Sequence, residues 1–187
     1  MTTFDVASAL AASAAPSAAA PAQHLVTRPT GAAVRLLLER QLAALAAGTV
    51  AVLDFSRVGV LDRSCADECV AKLLLPLTAE TPSRDGYVML RGVSEGHLDA
   101  IEAVLETHGL ALVVQFPDGG THLVGAVSPA ERALWEQVMR RVDAAAEELA
   151  EAAGLACDEV QSLLDSLVRR RLLRRAADRF APLGSAA

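Results

Sequence analysis

The sequence predicts an α/β fold, a sheet with helices packed on it, followed by a small module of three helices and a hairpin. Three observations carry this. Apolar runs of strand length alternate with helical stripes over residues 24–127, the connections between them are short, and the pattern changes at SPAER, residues 128–132.

The composition narrows what such a fold does. Hydrophobic residues make up 52% of the 187 positions but aromatics only 3%, so Leu, Val and Ala must build the core. A net charge of −6 gives no general attraction to nucleic acid or to an anionic membrane. No run reaches the ~18 apolar residues of a membrane span, and the N-terminus has no basic export-type region. Cys65, Cys69 and Cys157 do not form a disulfide framework. These features predict a cytoplasmic protein with no membrane anchor.

Residues 1–22 are rich in Ala, Ser and Pro and are expected to form a flexible tail. His24 to Thr27 reads as a short strand, after which Thr30 is placed to cap a helix with Val34, Leu37, Leu38, Leu42 and Leu45 inward. TVAVLDF, at 49–55, is apolar throughout and reads as a strand covered on both faces. A helix with Ala66, Cys69, Val70, Leu73, Leu74 and Leu77 on one stripe follows and is expected to stop near Pro76. YVMLRGV is the next strand. Ser94 then caps a helix with Leu98, Ile101 and Leu105 inward, and Gly109 closes it. LALVVQF is a further buried strand, PDGG a turn, and THLVGAV an edge or hairpin strand. The α/β domain spans 23–127.

Within it, VAVLDFSRVGVLDRSCADECVAKLLLPL carries the pattern D-F-x-x-V…S-x-A-D-E, matched by Asp54, Phe55, Val58, Ser64, Ala66, Asp67 and Glu68. This resembles the central signature of STAS domains of the anti-sigma-factor-antagonist type. The resemblance implies bacterial partner switching. Such a domain binds an anti-sigma factor or a serine kinase of the histidine-kinase-like ATPase fold, and phosphorylation releases it. The family's acceptor lies in D-S-S-G at a helix start, where this chain has Asp62-Arg63-Ser64-Cys65, so the candidate phosphoacceptor is Ser64. Arg63 and Cys65 depart from that pattern. Asp62, Arg63, Asp67 and Glu68 are the candidate partner-binding residues.

Ser64 also begins an S-x-x-[DE] capping pattern, which makes it a candidate helix cap. A phosphate there is expected to sit at the helix N-terminus at little cost to the fold.

The module at 128–187 begins with Pro129 at the first position of a helix carrying Leu134, Val138, Met139 and Val142. AAAEELAEAAG and CDEVQSLLDSLVRRR are two further helices, and LLRRAADRFAPL is a hairpin turning near Ala177 and Asp178. The whole resembles a winged helix-turn-helix.

Its second helix of the motif, however, presents Asp158, Glu159, Gln161, Ser162 and Asp165 where a DNA reader presents basic or amide side chains. Nucleic-acid contact would fall to Arg169, Arg170, Arg171, Arg174, Arg175 and Arg179. A protein contact, or a homodimer, is the favoured use of the module; the alternative is a DNA-binding transcriptional regulator with the STAS-like domain as sensor or dimeriser. No metal-ligand spacing, phosphate loop or catalytic triad stands out, so the expectation is a non-enzyme with no cofactor.

Overall fold

The computed structural model describes residues 1–13, 24–79, 81–82 and 85–184. The chain divides into two compact units, Met1–Ala126 and Val127–Ala187.

The first unit is built on a five-stranded sheet in the order β1-β3-β5-β6-β7. Its strands are β1 (Thr2–Asp5), β3 (Val50–Asp54), β5 (Tyr87–Arg91), β6 (Ala111–Gln115) and β7 (Thr121–Gly125). The first four run parallel, and β7 returns antiparallel to β6 after the PDGG turn.

Side chains alternate across the sheet. Ala51, Leu53, Val88, Leu90, Leu112, Val114 and Val124 join the main core. Val50, Val52, Met89, Val113 and Leu123 point the other way and are also buried. Burial on both faces is why these segments read as unbroken apolar runs rather than as alternation.

Against the first face lie α1 (Val6–Ser13), α2 (Arg28–Ala43) and α5 (Glu95–His108), together with a long helix in three parts. The parts are α3 (Arg63–Ala66), a π turn (Asp67–Ala71) and α4 (Lys72–Thr78). A two-stranded parallel ribbon pairs β2 (His24–Leu25) with β4 (Val60–Leu61) at the foot of α2 and α3. Ser94 and His97 form the capping box of α5, and Gly109 closes it with φ 63°.

Four expectations need correction. Residues 1–13 are not a loose tail. Phe4 pairs with Leu53 in the sheet, and Val6, Ala9 and Leu10 form a buried stripe at helical spacing. The Ala-rich composition of the whole segment concealed this local pattern, and residues 14–22 of the expected tail lie outside the described residues. Thr27, not Thr30, precedes the first turn of α2, because Pro29 is accepted where helical N–H groups are unpaired anyway. The long helix continues through Pro76 to Thr78, leaving one helical hydrogen bond unmade rather than ending. In the second unit, Val142 does not face inward but is 62% exposed with φ 67°, because the helix stops at Arg141.

That second unit contains α6 (Pro129–Arg141), β8 (Ala144–Ala145), α7 (Ala146–Ala153), α8 (Cys157–Arg169), β9 (Arg174–Ala176) and β10 (Arg179–Ala181). The strands form an antiparallel sheet in the order β8-β10-β9. Ser128 and Glu131 make the capping box of α6, and the Trp135 indole N–H donates to the Leu172 carbonyl at 3.1 Å. Val160, Leu164 and Leu167 form the buried stripe of α8.

The approach of α2 to α3 is close enough to require glycine. A Cβ on Gly31 would lie 2.8 Å from the Cys65 Cα, whereas one on Gly96 in α5 would meet nothing within 4 Å. Gly31→Ala is therefore expected to destabilise the protein by about 1–3 kcal/mol. Gly96→Ala is expected to stabilise it by about 0.5–1 kcal/mol. Urea unfolding of the two variants beside the wild type checks the contrast.

Candidate functional site

The site grows from the corner where β4 turns into α3. Asp62 is the N-cap: its Oδ1 accepts the Cys65 N–H at 2.7 Å and the Ser64 hydroxyl at 2.8 Å. Its Oδ2 accepts the Thr27 N–H at 2.9 Å, and its own N–H donates to the Leu25 carbonyl at 2.9 Å. The two strand-to-helix corners, β2 to α2 and β4 to α3, are thus joined through one residue. Burial pushes the Asp62 carboxyl up, but the hydrogen bonds from Thr27, Cys65 and Ser64 outweigh it and hold the group below its ordinary value.

Thr27 needs this hold. Its φ of 77° and ψ of 138° lie in a region that glycine tolerates and β-branched residues avoid. Besides the bond to Asp62, its carbonyl accepts the Cys65 thiol at 2.9 Å and the Gly31 N–H at 3.2 Å. Burial raises the Cys65 thiol to about 12, with the Asp62 charge adding to the effect. Cys65 is therefore an inert donor here, not a nucleophile.

One helical turn beyond Ser64, the π turn begins with two carboxylates, and cations gather on both. Asp67 meets Arg28 at 2.7 Å, His108 at 2.7 Å and Lys72 at 3.5 Å. Glu68, only 4% exposed, meets Arg28 at 2.9 Å, Arg35 at 3.4 Å and Lys72. Burial opposes ionisation of Asp67, but the hydrogen bonds from His108 and Arg28 and the charges of Lys72 and Arg28 prevail and bring it down to about 2. Glu68 is lowered in the same way, against burial, by Lys72, Arg28 and Arg35.

The geometry sorts the sequence candidates. Arg63 is exposed and donates from Nη2 to the Thr107 hydroxyl at 3.1 Å. Ser64 is half-buried and lines an open cleft of about 360 Å³ with Arg28, Arg63, Asp67, Val104 and Thr107. Ser64 is not the helix cap; Asp62, the residue just before α3, takes that place because its carboxylate accepts the Cys65 N–H. The Glu68 carboxylate is turned inward onto three cations, Arg28, Arg35 and Lys72. Asp67 is largely withdrawn too, at 16% side-chain exposure.

Arg28, Arg35, Lys72, His108 and Thr107 were missing from the sequence reading. Their site partners lie 33 to 44 positions away along the chain, except for Lys72, which follows Glu68 at helical i,i+4 spacing; Arg35 also pairs locally with Glu39.

In the second unit the arginines are largely engaged. Arg170 pairs with Glu131 at 3.1 Å, and Arg175 pairs with Asp165 at 3.2 Å while lying over the Phe180 ring. Arg179 pairs with Asp143 at 2.7 Å and Glu148 at 3.4 Å. Arg171 and Arg174 are half-buried, and Arg169 is exposed at the end of α8.

Comparison of the chain with protein-family models, curated proteins and solved structures gives no match. Among the described residues there is no cluster of His, Cys, Asp or Glu fit to hold a metal, and no helix long and apolar enough to cross a membrane.

Two outcomes follow. Thr27→Gly is expected to stabilise the fold by about 1 kcal/mol by removing backbone strain, while Asp62→Ala costs about 2 kcal/mol through the lost cap; denaturant midpoints check both. Because the folded Asp67 titrates near 2 rather than 3.8, its contribution to stability is present above pH 3.8 and is lost as pH falls toward 2. Asp67→Asn should flatten that part of the acid limb of a stability–pH curve.

Proposed function

We propose that this chain is a non-enzymatic regulatory protein. Its first unit acts as a STAS-like domain that binds a protein partner, a serine kinase of the histidine-kinase-like ATPase fold or an anti-sigma factor, and phosphorylation of Ser64 switches that binding. The observation that carries this is the placement of Ser64 at the wall of an open cleft, between two arginines, with its hydroxyl donating to a carboxylate.

In the proposed transfer, the Ser64 Oγ attacks the γ-phosphorus of ATP held by the partner kinase. The bond to the β,γ-bridging oxygen breaks and ADP leaves, while the hydroxyl proton passes to Asp62 and on to water. Arg63, exposed beside Ser64, is the side chain best placed to meet the partner. The unpaired thiols fit a reducing cytoplasm.

The second unit is read as a winged-helix module. The support is its element order, helix, strand, helix, helix, strand, strand, with the last two strands completing a three-stranded antiparallel sheet. Its use is a protein contact rather than DNA binding, because Arg170, Arg175 and Arg179 already face carboxylates and the start of α8 exposes Asp158 and Glu159.

Affinity purification of the tagged protein from its native cells, wild type beside Ser64→Glu, tests the reading. The expected result is a phosphate mapped to Ser64 in the wild type and a partner lost from the variant. An unmodified wild type with the same partners in both samples overturns it. Duplex DNA of mixed sequence is expected to bind weakly, and steep loss of tight binding with added salt would return the second unit to DNA.

A further inference from the structure

Phosphorylation of Ser64 does more than add charge. The Ser64 hydroxyl donates to Asp62 Oδ1, and the phosphorylated oxygen has no proton left to donate. At the helix N-terminus the phosphate would meet the Asp62 carboxylate, which accepts the Cys65 N–H there, so like charges oppose that position. The nearest cations are across the cleft.

Arg28 holds Asp67 and Glu68 through Nη1, and Arg63 holds Thr107 through Nη2. Each guanidinium carries five N–H donors, and no other donor of either has a partner among the described residues. Ser64 and Asp67 are three residues apart along the helix, so Arg28 already lies about one turn from the modified oxygen.

We propose that a phosphate on Ser64 is clamped across the cleft by Arg28 and Arg63, and that losing the Ser64–Asp62 hydrogen bond loosens the hold of Asp62 on the strained Thr27 corner. The phosphate is then read by a partner as a change at the β2–α2 corner as well as a new charge. Repulsion between phosphate and carboxylate turns Asp62 away from Ser64, and the hydrogen bond from the Thr27 N–H weakens, since the same carboxylate accepts both. The strain at Thr27 makes this corner ready to relax once it is released. The clamp keeps the phosphate on the protein surface instead of letting it unfold the helix start.

This rests on Ser64 being the modified residue, but the experiment does not depend on the cell making the modification. Full-length protein is prepared with phosphoserine installed at position 64 during synthesis. Its phosphate is titrated by phosphorus NMR, and amide exchange is followed at Thr27 and Gly31.

The expected second phosphate pKa is at least about half a unit below its ordinary value near 6, because two guanidiniums favour the dianion. Arg63→Gln and Arg28→Gln each raise it. Arg40→Gln, about 18 Å further along α2, leaves it unchanged. Exchange at Thr27 and Gly31 speeds up about tenfold relative to the unmodified protein, with unchanged circular dichroism.

A pKa at or above the ordinary value, as Asp62 and Asp67 alone would impose, overturns the clamp. So does insensitivity to Arg63→Gln, a variant at an exposed side chain with one contact. Unchanged exchange at Thr27 overturns the loosening. Absence of phosphate from the native protein would instead strike the proposed function and leave this result standing.

Discussion

The Asp62 carboxylate accepts three hydrogen bonds on its two oxygens and its backbone N–H donates a fourth, which ties the β2–α2 corner to the start of α3. Without it the first turn of α3 loses its cap, Thr27 loses the restraint that keeps a β-branched residue at positive φ, and Ser64 loses its orienting acceptor. The close packing of Gly31 on Cys65 depends on the same corner being held, because Thr27 immediately precedes α2. The carboxylate stays ionised despite partial burial because three donors converge on it. Local geometry and local charge therefore share one cause.

The π turn has a comparable role one step further along the helix. Adjacent residues on an α-helix point about 100° apart, yet Asp67 and Glu68 are both reached by Arg28 and both by Lys72. The wider turn at Asp67–Ala71 accompanies that convergence. Two carboxylates side by side would repel, and the three surrounding cations, Arg28, Arg35 and Lys72, with the His108 hydrogen bond to Asp67, make the arrangement stable. Since Arg28 and His108 are partly exposed, each pair taken alone contributes little, and the shared network around the buried Glu68 is what matters.

Most of the fold was legible because it is written in local signals. The apolar runs at 50–54, 87–91 and 111–115, the cap at Ser94 and Pro129 in the first turn of α6 act within a few residues of themselves. Ser64 and Asp62 were recognisable for the same reason, as members of one short segment. What stayed hidden depends on distance. His108 reaches Asp67 from 41 positions away and Arg28 reaches Glu68 from 40, and no periodicity announces such pairs. The strand at Thr2–Asp5 was hidden for a different reason: its four residues gain their stability from β3, not from their own composition.

The same distinction explains how charge should be read in the second unit. As a sequence, six arginines near the end resemble a basic surface. In the structure Arg170 satisfies Glu131, whose other partners are Ser128 and Ser166, so this arginine completes the cap of α6. Arg179 bridges Asp143 and Glu148 and thereby fastens β10 to the start of α7. Arginines that hold elements together keep less of their charge available to an outside polyanion, because each phosphate contact would first have to displace a carboxylate. A stretch that looks like a nucleic-acid contact can therefore be internal scaffolding, and the first turn of α8 adds the carboxylates of Asp158 and Glu159 to the same unit.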